Sequence, residues 1–461
     1  MFLPKSFLSL ALPLFIRAVR GLDLDVNTED SIKSTAKTLA GAIVAAYNDY
    51  LQPGEVPGLF SEAGAPYYWW QAGTTWNALI EYSYLTGDSQ YDELVSNAIT
   101  FQLGKGNSFM VTNQTKNLGN DDQSTWGLAA LTAAEVGFKN PREGKWIDFA
   151  KNVFNNQVLR WDDKTCGGGL RWQIFSFNKG YEYKNTLTSS NFFLLSARLA
   201  HLTGNMTYAE WADKSFKWSQ DVGLLTKDYK VYDGTDAQGN CTMTNKIQWT
   251  APHGSYTEGA AFMYNLTNGD NKWKDAVNGL VTSGAVFWKG NNILTEVACE
   301  PKQTCNVDQS AFKGIAARSY ARASVVAPIA SVPLRKVLET SAKGAGSNCN
   351  GEGKDLSCTH EWQPEAAQGK HTIVSGKLGE VFAALEVVQG LLYPKASIVA
   401  KGTTPTGSSN PSSTLSSSGT VSASGTPSGS VVPAQGTGTA GRNVIAWGGV
   451  TVGAMVAMLG S

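Results

Sequence analysis

Apolar residues recur along most of this chain at steps of three and four. Ile32, Ala36, Leu39, Ile43, Ala46, Tyr47 and Leu51 trace one stripe of an amphipathic helix, with polar residues between them. Two kinds of helix alternate. Trp126-Gly-Leu-Ala-Ala-Leu-Thr-Ala-Ala134 and Phe192-Phe-Leu-Leu-Ser-Ala-Arg-Leu-Ala200 are apolar nearly all round, whereas Lys145-Trp-Ile-Asp-Phe-Ala-Lys-Asn-Val-Phe154 has one stripe and a charged face. A helix apolar all round is buried, and a striped one lies outside it. The turns repeat too: Leu85-Thr-Gly-Asp-Ser-Gln-Tyr91 returns as Leu202-Thr-Gly-Asn-Met-Thr-Tyr208 and loosely as Leu266-Thr-Asn-Gly-Asp-Asn-Lys-Trp273. In each, Gly or Asn stops one helix and a polar residue opens the next. The pattern predicts inner helices near 72–86, 122–136, 187–202, 257–267, 308–320 and 371–392. It predicts outer helices near 30–51, 89–103, 144–160, 206–220, 270–287 and 328–343. Six inside six outside make an all-α, (α/α)6 toroid over residues 22–395, and analogy with that fold puts an active site at one end of the inner ring.

The two ends break the pattern. Lys5 precedes a short apolar run, Phe7–Phe15, and small residues follow, which reads as a secretory signal over 1–21, too short to span a bilayer. Residues 396–443 are dominated by Ser, Thr, Gly and Pro and cannot bury a core. An apolar run, Val444–Leu459, closes the chain within 444–461. Small residues, a polar spacer and a modest apolar tail form a signal for glycosylphosphatidylinositol (GPI) attachment, expected near Gly436, with the tail removed. A C-terminal membrane helix is the rival, weakened by the run's shortness and the lack of a basic cluster beside it. The expected location is the outer face of the plasma membrane and the cell wall.

The formal charge of zero hides an acidic body. Lys5, Arg17, Arg20, Lys401 and Arg442 all lie in the end segments, leaving 33 basic against 38 acidic residues. That balance has no nucleic-acid footprint. In an oxidising compartment the six cysteines suggest disulfides: Cys299 with Cys305 and Cys349 with Cys358 as short loops, which leaves Cys166 for Cys241. Zinc is the alternative, but no CxxC and no paired His supports it. Asn113, Asn205, Asn240 and Asn265 begin N-x-T sequons and are candidate glycan sites.

The sharpest chemical feature is Gly119-Asn-Asp-Asp-Gln-Ser-Thr-Trp126, at the start of an inner helix. Glycoside hydrolysis needs two carboxylates, and mutual repulsion would separate the pKa values of Asp121 and Asp122. The competing reading is helix capping, which acidic residues at a helix start perform routinely. Tyr67-Tyr-Trp-Trp-Gln71, Arg171-Trp-Gln173, Trp249 and Tyr256 supply aromatic faces and amides suited to sugar rings, although most tryptophans must fill the core. The glycines of Cys166-Gly-Gly-Gly-Leu-Arg-Trp-Gln173 bring backbone close to either a neighbouring helix or a substrate. Asp162-Asp163 reads as a solvated turn. GxSxG, HExxH and GxxxxGK[ST] are absent, so serine hydrolase, zincin and P-loop chemistry have no support.

Asn120-Asp-Asp-Gln-x-x-Trp126 with Glu135, the strip ending in Trp172-Gln173, Tyr183-Lys-Asn185 before Asn191-Phe-Phe193, and Asn306-Val-Asp-Gln-x-Ala-Phe-Lys-Gly314 with Arg318 together resemble glycoside hydrolase family 76. Within it the chain is most similar to fungal GPI-anchored mannan endo-1,6-α-mannosidases, and the resemblance covers nearly the whole body. It implies retaining cleavage of α-1,6-linked mannose, with Asp121 as nucleophile and Asp122 as general acid/base, no metal and no cofactor. It also implies supporting roles for Trp70, Gln71, Trp172, Gln173, Tyr256, Asp308 and Lys313. Pro252-His-Gly-Ser-Tyr256 departs from the family pattern, which leaves substrate contacts there open. The implied partners are mannan or GPI-glycan mannose, with a β-glucan acceptor if the sugar is transferred rather than hydrolysed, and the chain is expected to act as a monomer. Rival readings are a wall-glycan binder without turnover and a polysaccharide lyase, the latter at odds with the acidic balance.

Overall fold

The computed structural model describes residues 21–61, 67–364 and 377–395, all within one compact unit, Met1–Ser409. Residues 1–20 of the expected signal segment (1–21), the linker, Gly436 and the apolar tail lie outside the described residues. Among the described residues no helix is long and apolar enough to cross a membrane.

Twelve α-helices are described. The outer six are α1 (Glu29–Tyr50), α3 (Asp92–Phe101), α5 (Trp146–Leu159), α7 (Met206–Asp221), α9 (Asn271–Gly284) and α11 (Ser331–Ser347). The inner six are α2 (Trp69–Thr86), α4 (Asn120–Glu135), α6 (Thr186–Thr203), α8 (Thr250–Leu266), α10 (Val307–Val326) and α12 (Lys377–Gln389). Each inner helix packs on the next, and α12 returns to α2, closing the ring. The outer helices lie against it, α1 on α12 and the others on their chain neighbours. Burial separates the two sets as the pattern predicts: 14 of 16 residues of α4 are buried, against 7 of 14 in α5.

Among the described boundaries, those of two helices differ most from expectation. Helix α8 begins at Thr250 rather than near 257, because Pro252 sits in the first turn, where its missing N–H costs no intrahelical bond. Helix α10 runs on to Val326, since Arg318 and Arg322, polar in the sequence, are buried in the ring. Helices α2 and α6 end on Gly87 and Gly204, both left-handed (φ 78° and 70°), which a side chain would strain.

The axis of the ring is ionic where it is deepest. Arg198 of α6 forks onto Glu135 of α4 (2.7 and 3.0 Å), and Arg322 of α10 binds Glu135, Glu258 of α8 (2.7 Å) and Glu81 of α2 (3.3 Å). Arg318 meets Glu386 of α12 at 2.9 Å. Every inner helix therefore contributes a charge. Buried pairs of this kind set register more than they add stability.

Three disulfides form as the spacing suggested: Cys166–Cys241, Cys299–Cys305 and Cys349–Cys358. The first ties the glycine strip to a small antiparallel sheet of β1 (Tyr183–Asn185), β2 (Gly234–Asp236) and β3 (Thr244–Asn245). Gly168 and Gly169 of the strip have positive φ, and a Cβ at either would strike the Trp161 or Trp218 ring. These glycines admit tryptophans rather than a substrate.

Candidate active site

The inner helices start at one rim of the ring. There Trp70 of α2, Asp121, Asp122 and Thr125 of α4, Asn185 and Leu187 at the start of α6, Trp249 and Pro252 at α8, and Asp308 and Phe312 of α10 line a cleft of about 640 Å³. That size suits a chain of a few sugar rings. Five helix N-termini face it, and their partial positive charge favours anions at its floor.

A strip of extended chain builds the wall beside α4. Gly119 and Gln173 pair antiparallel, Asn120 N–H donates to Trp172 O (2.8 Å), and Asn120 Nδ2 donates to Arg171 O (2.8 Å). Asn120 thus carries the wall rather than chemistry, and it holds Trp172 and Gln173 at the cleft.

The two aspartates are held in different ways, Asp121 buried and Asp122 half-buried. Asp121 Oδ2 accepts from Asn185 Nδ2 (3.1 Å), and its Oδ1 accepts from the Asp122 N–H (3.0 Å). Asp122 Oδ2 accepts from the Gly119 N–H (2.7 Å), the back-reaching bond of a capping box. Capping and chemistry are therefore not alternatives here, since a carboxylate that accepts a backbone N–H still lines the cleft. Burial pushes Asp121 up to about 6, while Asn185 and the Asp122 N–H pull it down. Burial first, then the charge of Asp121, raises Asp122 well above the usual carboxylate range. Asp122 has only the Gly119 N–H to offset this, so Asp121 holds the negative charge and Asp122 keeps the proton. Asp308, also raised by burial, accepts from Trp70 Nε1 (3.1 Å).

Gly119 matters through its missing side chain. A methyl group there would overlap Asp121 Oδ1 and stand 3.0 Å from Asp122 Oδ2. Both carboxylates fold back over a residue that offers them only its N–H.

Asp121, Asp122, Trp70, Trp172, Gln173 and Asp308 come together in the cleft. Three other expected residues do not. Gln71 is fully buried, accepting from the Tyr68 N–H (2.9 Å) and donating to Val307 O (2.9 Å), so it joins the starts of α2 and α10. Tyr256 is a core residue, packed on Phe193 and Phe216 with its hydroxyl on Ser219 Oγ (2.7 Å). Lys313 is buried on Glu300 (2.7 Å) and His360 O, with its ammonium over the Trp362 ring. Of the segment Pro252-His-Gly-Ser-Tyr256, which departs from the family pattern, Pro252 lines the cleft, whereas His253 is buried against Leu280 O (3.0 Å) and Tyr320 OH (2.9 Å). Asp162 also corrects an expectation: it is half-buried against Arg171 (3.0 Å) and Lys184 (3.2 Å), and only Asp163 is solvated.

Other residues have roles that the pattern did not assign. Asn185 caps α6 through Oδ1, on Thr188 N–H (2.8 Å), and so leaves its amide free to reach Asp121. An Asn rather than Asp or Ser at an inner-helix cap was the available signal. Asp233 anchors Tyr183 OH (2.6 Å) and Trp249 Nε1 (2.8 Å) at the cleft. Phe312 packs between Trp70 and Trp249 (centroids 6.2 and 5.9 Å); it stood in the motif ending at Gly314, but no role was expected of it. Cys299, Cys305 and His360 place ligand-type atoms within 4.8 Å of one another, but both sulfurs are spent in a disulfide.

The sequence model for glycosyl hydrolase family 76 matches residues 31–403. A putative mannan endo-1,6-α-mannosidase of Schizosaccharomyces pombe, C970.02, is 39% identical over 411 residues, covering 88% of this chain and 90% of that protein. The mannan endo-1,6-α-mannosidase DFG5 of Saccharomyces cerevisiae is 37% identical, covering 86% of each. Among solved structures, Dfg5 from Chaetomium thermophilum in complex with glucosamine superposes with a TM-score of 0.76 at 36% identity, over 82% of this chain and 94% of that one.

Proposed function

The chain belongs to glycosyl hydrolase family 76 and is a glycoside hydrolase, and on that premise we propose that its cleft cleaves α-1,6-linked mannose with retention, at the fungal cell surface. The observation that carries the mechanism is the adjacent pair at the start of α4, one carboxylate stabilised by two N–H donors and the other by one. Asp121 attacks the anomeric carbon as the glycosidic C–O bond breaks, and Asp122 gives its proton to the departing oxygen. Asp122, now ionised, takes a proton from the incoming hydroxyl, which displaces Asp121 from the sugar. Asn185 holds Asp121 in place, Gly119 leaves room for both carboxylates, and Trp70, Trp172, Trp249 and Phe312 offer faces to the sugar rings. Mass spectrometry after trapping with a slow fluorinated mannoside is expected to find the sugar on Asp121. A label elsewhere, or full activity in Asp121→Ala, would overturn the assignment.

A second reading, transfer to another sugar, draws on the placement of aromatics. Trp172 stands beside α4, while Phe312 is on α10, across the ring, so stacking surfaces exist on both sides of the pair. Incubation with an α-1,6-mannan oligosaccharide, with and without a β-glucan acceptor, distinguishes the two by whether a hybrid product forms. The proposal extends to the ends of the chain: a signal removed after Gly21 and a GPI anchor near Gly436. Release of the cell-bound protein by a phosphatidylinositol-specific phospholipase checks the anchor.

A further inference from the structure

The cleft is divided by charge. Asp121, Asp122 and Asp308 occupy the helix starts at its floor, whereas Lys116 and Lys179 stand on its lip. Both lysines are exposed, and neither forms an ion pair with any described residue. They come from separate segments, yet one side chain fixes both to the same lip. Asn178 Nδ2 donates to Thr115 O (3.0 Å) and to Gln173 Oε1 (3.1 Å), so the residue next to each lysine is tied to the other segment. Gly180, on the other side of Lys179, lies directly against the Trp172 ring. The backbones are held and the ammonium groups remain free.

An unsubstituted mannose chain has no charge to offer such a pair. We propose that the lip binds a phosphate group carried by the mannose chain in the cleft, which makes Lys116 and Lys179 specificity determinants. The inference rests on reading the cleft as mannose-cleaving. The helix starts at the floor are already occupied by Asp121, Asp122 and Asp308, so the phosphorylated sugar lies outward on the lip and a neutral one occupies the aspartate pair. A phosphodiester on a mannan branch and the ethanolamine phosphate of a lipid-anchor glycan share this chemistry.

The test uses the full chain with Asp121→Asn and Asp122→Asn, so that ligands survive. Three are titrated by calorimetry: α-1,6-mannotetraose, the same tetraose carrying a methyl phosphodiester, and a mannose glycan carrying ethanolamine phosphate. The phosphorylated ligands are expected to bind about fivefold tighter at low salt, with the advantage shrinking as ionic strength rises. Adding Lys116→Gln and Lys179→Gln is expected to abolish the difference, and circular dichroism melting shows whether the variant is folded. The tighter of the two phosphorylated ligands identifies the source. Equal affinity for neutral and phosphorylated tetraose, or an advantage that survives the lysine substitutions, overturns the proposal. If the phosphorylated ligands bind but the unsubstituted enzyme cleaves none of the three, the mannosidase reading falls and the lip assignment stands.

Discussion

The two ends of helix α4 carry buried carboxylates with opposite surroundings. At its start, Asp121 and Asp122 have N–H donors but, among the described residues, no cation paired with them, and both are pushed up. At its end, burial also raises Glu135, but Arg198 and Arg322 outweigh it and hold the carboxyl below its ordinary value. Burial is common to both, so burial alone does not mark a reactive group. The absence of a compensating cation does, because it leaves the energetic cost of the charge to be relieved by protonation or by reaction.

Removing Asp121 is expected to have the largest effect. Asp121→Ala should lower kcat on an α-1,6-mannan oligosaccharide by about 10⁴-fold or more while the protein stays folded. Asp122→Asn should lose about 10²–10⁴-fold, with much of the loss recovered on a substrate whose leaving group needs no proton. Full activity in either variant would erase the distinction between the two ends of α4.

At the other end the expected damage is to stability. Glu135→Gln leaves Arg198 and Arg322 short of a buried partner and should destabilise by about 3–5 kcal/mol. Denaturant unfolding measures that loss, and the protein that remains folded should retain most of its kcat. A variant of unchanged stability would show the axial network to be dispensable.

Gly119→Ala sharpens the comparison from the active-site side. The methyl group displaces both carboxylates without disturbing the core, so kcat should fall about 10²-fold at nearly unchanged Tm.

The smallest effect is in the pH dependence of stability, where the two ends should have opposite signs. Asp121 is raised in the folded state from 3.8 to about 6, so the folded protein binds the extra proton between those values. Its contribution to stability is present below about pH 4 and is lost as pH rises through 6. Glu135 is lowered from 4.5, so its contribution is present above that value and is lost as pH falls through the folded pKa. Asp121→Asn should therefore raise Tm at pH 7 by more than at pH 4. A gain larger at pH 4 would contradict the assignment of the unpaired charge. Activity should fall on the acid side near pH 6, where Asp121 takes up a proton.

Much of the architecture could be read directly from residue order. The twelve helices and their division into buried and striped follow from apolar spacing, which records the angle around a helix at which residues meet the core. The pair at Asp121 and Asp122 was visible because both carboxylates open an apolar helix. Asn185 stood in a quoted motif, but its role was not visible, because that role lies in the half of its amide that capping does not use. Gln71 and Tyr256 looked like site residues for their amide and aromatic character, and Lys313 through the family resemblance. Each instead turns away from the cleft, into a helix junction, the core and a buried ion pair.

Spacing alone thus determined that the body is a double ring of helices, that two of the three cysteine loops close locally, and that one helix start concentrates two acids. Only the tertiary structure decided which buried polar groups face the cleft and which face the axis. Periodicity encodes the face of a helix but not who stands opposite. Arg322 meets Glu135 across 187 positions and Glu81 across 241. A carboxylate's charge state depends on such neighbours. Until the ring closes, Glu135 and Asp121 are only two acids on one helix.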